Sequence, residues 1–145
     1  IIETLTDNKN RSASNIRTIL EKNDGRLGVN GSTSHLFFSC GVIHIEKNNL
    51  SDEQALEIAI NAGAKDCNSI TENHEIITEK EDFYKVKSEI EKKVDKFIYS
   101  GVEWRPHEYL DLNKEQSEKI IKILDALDED DDVQNTFINC NINLN

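Results

Sequence analysis

The sequence predicts an α+β fold: a ferredoxin-like split βαβ domain, with two helices on one face of an antiparallel sheet, carrying a second small α/β domain as an insertion. Two observations lead there. Read in order, the periodicities give β-α-β-β, then α-β-β-α-β, then α-β, and leaving out the middle block restores the order β-α-β-β-α-β. A fresh helix-start signal at Ser51 opens that block, so residues 1–47 and 113–145 are assigned to one discontinuous domain and 48–112 to the insertion. The 145 residues are 37% hydrophobic and 6% aromatic, enough for one modest core or two small ones.

Ile1 to Thr6 is apolar and β-branched and stops at Asp7-Asn8-Lys9-Asn10, four turn formers, so it reads as a strand followed by a loop. Ser12 is a candidate N-cap for a helix whose apolar residues Ala13, Ile16, Ile19 and Leu20 recur at helical spacing until Asn23-Asp24-Gly25. Arg26 to Thr33, with Gly28 and Gly31, reads as an ordered loop. Ser34 to Cys40 and Val42 to Glu46 flank Gly41 and form either a hairpin or one bent strand.

In the insertion, Ser51 with Gln54 makes a capping box for a helix with an apolar face of Ala55, Leu56, Ala59 and Ile60, closed by Gly63. Asp66 to Ile70 and Glu75 to Thr78 read as a short hairpin. Thr78 and Glu81 are expected to cap a helix bearing Phe83, Val86, Ile90 and Val94. Phe97 to Tyr109 is extended and holds the only tryptophan and proline, Trp104 and Pro106. Asn113 with Gln116 starts a last helix carrying Ile120, Ile121, Ile123, Leu124 and Leu127, and Val133 to Ile138 is a final strand.

The formal net charge is −11, which opposes any whole-surface embrace of a phosphate backbone. The excess is uneven. Up to Ile45 the chain has five basic residues against four acidic, and beyond it twelve against twenty-four. A polyanion-facing surface therefore belongs in the first part. No stretch approaches the roughly 20 consecutive apolar residues of a membrane helix. The three cysteines, Cys40, Cys67 and Cys140, are far apart and read as free thiols of a reducing compartment. The chain opens Ile1-Ile2-Glu3, without a methionine or a secretory signal pattern, and looks like a piece of something longer.

Catalytic and metal chemistries find little support. His35, His44, His74 and His107 are scattered without ligand spacing. The run Asp128 to Asp132 resembles a calcium loop only superficially: its sixth position is Val133 where a glycine is needed, and its twelfth is Asn139. It fits better as a helix stop, since acidic residues oppose the dipole at a helix C-terminus. No serine or cysteine sits in a nucleophile elbow, and the glycines at 25, 28 and 31 match no phosphate-binding fingerprint. No cofactor and no enzymatic activity are expected. Asp7-Asn8-Lys9-Asn10-Arg11-Ser12 is more informative, because Lys9 in the loop and Arg11 just before the helix place hydrogen-bond donors beside a positive helix end. The competing reading is an Asx-type turn with a locally paired Arg11.

Taken together, Asp7 to Ser12, Asn23-Asp24-Gly25-Arg26-Leu27-Gly28, Gly31-Ser32, Phe38, Gly41 and Ile43 resemble the YebC/PmpR family of gene-expression regulators. Ala59 with Ala62-Gly63-Ala64 and Asp66 is similar to that family's AxxAGAxD segment, Trp104-Arg105-Pro106 to its WxP, and Asp131-Asp132-Val133-Gln134 to its DDVQ. Asp24 departs from a usual Gly-Gly. The resemblance implies two interleaved α/β domains and, ahead of them, a basic N-terminal helical domain that this sequence lacks. It implies a transcriptional regulator binding DNA or, as the alternative, a translation activator acting on the ribosome or mRNA. Such a protein works in the bacterial cytoplasm or the mitochondrial matrix. A small-ligand-sensing module is the reading from another class, since fold does not dictate function. The candidate nucleic-acid-binding residues are Lys9, Asn10, Arg11, Arg17 and Arg26, and the chain is expected to be monomeric, with no membrane partner.

Overall fold

The computed structural model describes residues 1–145. The class is α+β: eight strands, β1 (Ile2–Thr4), β2 (Phe37–Glu46), β3 (Asp66–Ser69), β4 (Asn73–Glu79), β5 (Phe97–Pro106), β6 (Leu110–Asp111), β7 (Val133–Thr136) and β8 (Cys140–Asn141), and four α-helices, α1 (Lys9–Lys22), α2 (Asp52–Ala62), α3 (Phe83–Glu91) and α4 (Lys114–Asp128). They gather into two compact units, residues 1–38 with 105–145 and residues 39–104. Residues 39–47 thus group with the inserted block and 105–112 with the outer unit, unlike the division drawn from the sequence. Pairing explains both shifts: Cys40 to Glu46 pair residue for residue with Glu79 to Asn73, and Leu110 and Asp111 pair with Cys140 and Asn141.

In the outer unit β1 and β7 are antiparallel neighbours, Ile2 opposite Thr136 and Thr4 opposite Val133. β1 and β7 form a two-stranded sheet of their own, so the split βαβ order expected of this unit is carried instead by the inner one, where β2-α2-β3-β4-α3-β5 give the sheet order β3-β4-β2-β5. Phe137 N–H donates to the Ile1 carbonyl at 2.8 Å and Leu5 N–H to that of Asp132 at 2.9 Å, extending the ladder at both ends. β6 and β8 form a separate two-residue parallel pair, too short to be read from periodicity. Ile16, Ile123 and Leu127 are the buried centre, with Ile2, Ile19, Leu20, Leu27, Ile120 and Val133 packed around them. The apolar stripes of α1 and α4 therefore meet, as their spacing predicts. The N-cap of α1 is Asn8, whose side chain accepts from Arg11 N–H at 3.0 Å. Ser12 lies one turn inside and is buried, which corrects both the expected cap and the expected loop position of Lys9 and Arg11.

The inner unit has a sheet of order β3-β4-β2-β5. Its core is Ile43, Ile45, Ala59, Ala62, Ile76, Phe83, Val86 and Ile90. β2 is one continuous strand through Gly41. A Cβ there would lie 2.1 Å from Thr78 Oγ1 and 2.6 Å from Phe83 Cδ1, so the glycine serves close packing rather than a turn. α2 has the capping box of Ser51 and Gln54 and ends at Gly63 in the left-handed region, φ 95°. The expected apolar face of α2 is divided, however: Ala55 and Ala59 are fully buried while Leu56 and Ile60 are exposed. α3 is entered by a 3-10 turn, Lys80–Asp82, with no side-chain cap. Thr78 is not its cap but a fully buried residue of β4, its hydroxyl donating to the Glu79 carbonyl at 2.8 Å.

His74, fully buried, shares a hydrogen bond with Ser69 Oγ at 2.7 Å through Nδ1 and donates Nε2–H to the Leu50 carbonyl at 2.9 Å. It ties the segment ahead of α2 to the β3–β4 hairpin. Gly41→Ala is expected to destabilise by about 1–3 kcal/mol through overpacking, seen as a lower urea midpoint with an unchanged slope.

Candidate nucleic-acid interface

The buried face of α1, Ser12 and Ile16 with half-buried Ile19 and Leu20, leaves Asn10, Ser14, Arg17 and Glu21 as the outward stripe, at spacings of four, three and four. Lys9 opens the helix, and Lys9, Asn10, Arg17 and Arg26 are all exposed. Arg26 follows the helix end closely. Gly25 N–H donates to the Leu20 carbonyl at 2.7 Å, Leu27 packs on the core, and Arg26 projects from between these two anchors. Asp24 adopts a left-handed φ of 62°, and its carboxylate meets Lys119 of α4 at 2.8 Å. That hydrogen bond and charge hold the Asp24 carboxyl below its usual range and the Lys119 ammonium above. The acid that departs from the resemblance thus has its own cation and does not neutralise Arg26.

Arg11 is differently placed. Its Nη2 meets Asp7 at 2.9 Å and Asp132 at 3.0 Å, and its Nε meets Asp132 at 3.2 Å. Ser12 Oγ donates to the same Asp132 carboxylate at 2.7 Å. The arginine is thereby held above its usual pKa, first by its hydrogen bond to Asp132, and the Asp132 carboxyl is held below its own, first by Ser12 and then by Arg11. The locally paired reading of Arg11 describes this geometry. In the sequence Asp132 stood out as part of an acidic run and of the DDVQ-like segment; its role as the partner of Arg11 and Ser12 depends on a contact across 120 residues, which no local pattern carries.

No group of three or more His, Cys, Asp or Glu is placed to hold a metal ion, and no helix is long and apolar enough to cross a membrane. His44 instead contacts Glu75 at 2.8 Å, and the cysteines are free thiols.

A basic helix with its flanking loops, on one of two small units of helices and antiparallel strands, places the molecule in the α+β class. The chain belongs to the TACO1/YebC family, matching its second and third domains over residues 1–140. It is 45% identical over its whole length to a protein of Pelagibacter ubique, covering 60% of that protein. It is 44% identical over 98% of its length to one of Thermoanaerobacter pseudethanolicus, covering 58%. Both are named probable transcriptional regulatory proteins. The crystal structure of a conserved hypothetical protein of Aquifex aeolicus superimposes with a TM-score of 0.86 at 36% identity, over 98% of this chain and 59% of that one. The chain thus spans about three fifths of the length of these relatives.

The Asp132 carboxylate sets an acid sensitivity. Because its folded pKa is depressed, its contribution is complete above the unfolded carboxylate value of about 3.9 and is lost as pH falls through the lower folded value. Asp132→Asn is expected to lower Tm at neutral pH and to flatten the fall in Tm below about pH 4, measured by thermal melts across pH.

Proposed function

We propose that this chain is part of a regulator of gene expression that engages nucleic acid, acting in transcription through DNA, and that the outer side of α1 with the loop after it is its phosphate-facing surface. One observation carries the reading. α1 is the only helix with more bases than acids, four against one, whereas α2 has three acids and no base and α3 and α4 are balanced or acidic. In a chain of net charge −11, that concentration forms the one element suited to a polyanion. The names of the relatives, transcriptional regulators, support the same reading.

In this arrangement Arg17 and Arg26 neutralise phosphates, Lys9 adds charge beside the first-turn amides of α1, and Asn10 offers its amide to sugar or base edges. Arg11 acts differently: anchored on Asp132, it sets the helix end rather than the ligand. The surrounding acidity keeps binding weak and strongly dependent on salt.

Arg17→Glu with Arg26→Glu tests the surface. Titration of labelled duplex DNA, with a structured RNA in parallel, should show weaker binding and a salt slope shallower by about 0.9 for each phosphate no longer neutralised, at unchanged Tm. An unchanged slope in a folded variant removes these residues from the interface, and selective weakening on RNA alone moves the reading from DNA to RNA.

A further inference from the structure

α2 buries its alanines and rests Ile58 on the edge of the core, but turns Leu56 and Ile60 outward. Ala55, Ala59 and Ala62 face the core of the inner unit, whereas Leu56 is 40% and Ile60 59% exposed. Small inward residues let the helix axis approach the sheet closely. They give no reason for branched apolar side chains outside that face, where folding leaves their burial incomplete. Glu53, Leu56, Glu57, Ile60 and Asn61 line one shallow depression of about 290 Å³. Their spacing of three, one, three and one puts them on a single stripe of the helix.

The charges on that stripe have one sign. Asp52 is near Lys47 at 4.0 Å, but Glu53 and Glu57 have no cation partner, and α2 contains no basic residue. Asp52 and Glu53 lie in the first turn, where acids favour the helix dipole. Glu57 lies in the middle of the helix, where the dipole gives it no such role. An apolar strip edged by unpaired carboxylates is complementary to a helix with apolar residues at i, i+3 or i+4 and i+7, flanked by Lys or Arg. A polyanion is repelled here, and so is a second copy of this chain presenting the same acidic stripe.

We propose that the outer face of α2 is a docking site for a basic amphipathic helix of a protein partner, with Leu56 and Ile60 as the apolar contacts and Glu53 and Glu57 as the charge contacts. The site belongs to the inner unit and the basic surface of α1 to the outer one, so the proposal stands whether or not that basic surface binds nucleic acid.

The probe is a synthetic peptide of about 18 residues, five helical turns, with leucines at this spacing and lysine and arginine beside them. A permuted peptide of identical composition is the control for simple charge attraction. Anisotropy titrations should show the amphipathic peptide binding at least about tenfold more tightly than the permuted one, or about 1.4 kcal/mol. Leu56→Ser with Ile60→Ser should abolish that difference at unchanged Tm, and Glu53→Gln with Glu57→Gln should weaken binding and its salt dependence. Amide shift changes on adding the peptide should centre on α2. Equal binding of the two peptides, full binding by the serine variant, or shift changes centred elsewhere would each overturn the proposal. So would concentration-dependent self-association that the serine variant abolishes, which would assign the face to a second copy instead.

Discussion

The Asp132 carboxylate sits where the outer unit closes on itself. It accepts from Ser12 Oγ at 2.7 Å and from the Arg11 guanidinium at 3.0 Å, while its backbone carbonyl receives Leu5 N–H at 2.9 Å. One residue therefore joins the end of the β1 extension, the first turn of α1 and the segment between α4 and β7. The stripe of α1 can face inward only if the helix start is fixed against that segment, because the buried Ser12 and Ile16 leave little freedom of rotation. The outward direction of Arg17 follows from the same fixation. The paired Arg11 and the unpaired Arg17 thus divide the work of one helix between holding its end and presenting charge.

Much of this fold was legible because its signals are local. The capping boxes at Ser51–Gln54 and Asn113–Gln116 are formed as their sequences predict, and the β3–β4 hairpin falls on the two extended segments read there, although its second strand starts at Asn73, two residues before the expected Glu75. β1 and β7 pair across the length of the sequence, but the split βαβ order falls in the inner unit, because β2 pairs with β4 rather than with the outer strands. The misplacements have equally specific causes. Asn8 and Ser12 are both good caps four residues apart, and the choice between them was made by Asp132, which draws the Ser12 hydroxyl away. Thr78 resembled a cap but lies opposite Gly41 in the ladder. The pair β6 and β8 has no periodicity to read at two residues each.

The candidate surface was legible as composition and only half legible as geometry. That the first part of the chain carries the surplus of bases needed only counting, and the exposure of Lys9, Asn10, Arg17 and Arg26 accords with it. A locally paired Arg11 was one of two readings open in the sequence, and Asp7 fulfils it, but the second partner, Asp132, lies at the far end of the sequence and left no local sign. Asp24 shows the converse: as a bare acid beside Arg26 it weakens the case for the loop, yet its contact with Lys119 at 2.8 Å satisfies it elsewhere.

The two outward helix faces then differ for a reason that sequence periodicity alone cannot express. In α1 the large apolar residues, Ile16, Ile19 and Leu20, turn inward and the outward stripe is polar. In α2 the fully buried positions are alanines, Ile58 rests on the edge of the core, and Leu56 and Ile60 are turned out. A periodicity count treats both helices as amphipathic, since alanine, leucine and isoleucine all register as apolar. Volume, rather than polarity, decides which apolar residues the core admits. Leu56 and Ile60 are thereby left at the surface of α2, beside Glu53 and Glu57 on a helix that contains no basic residue.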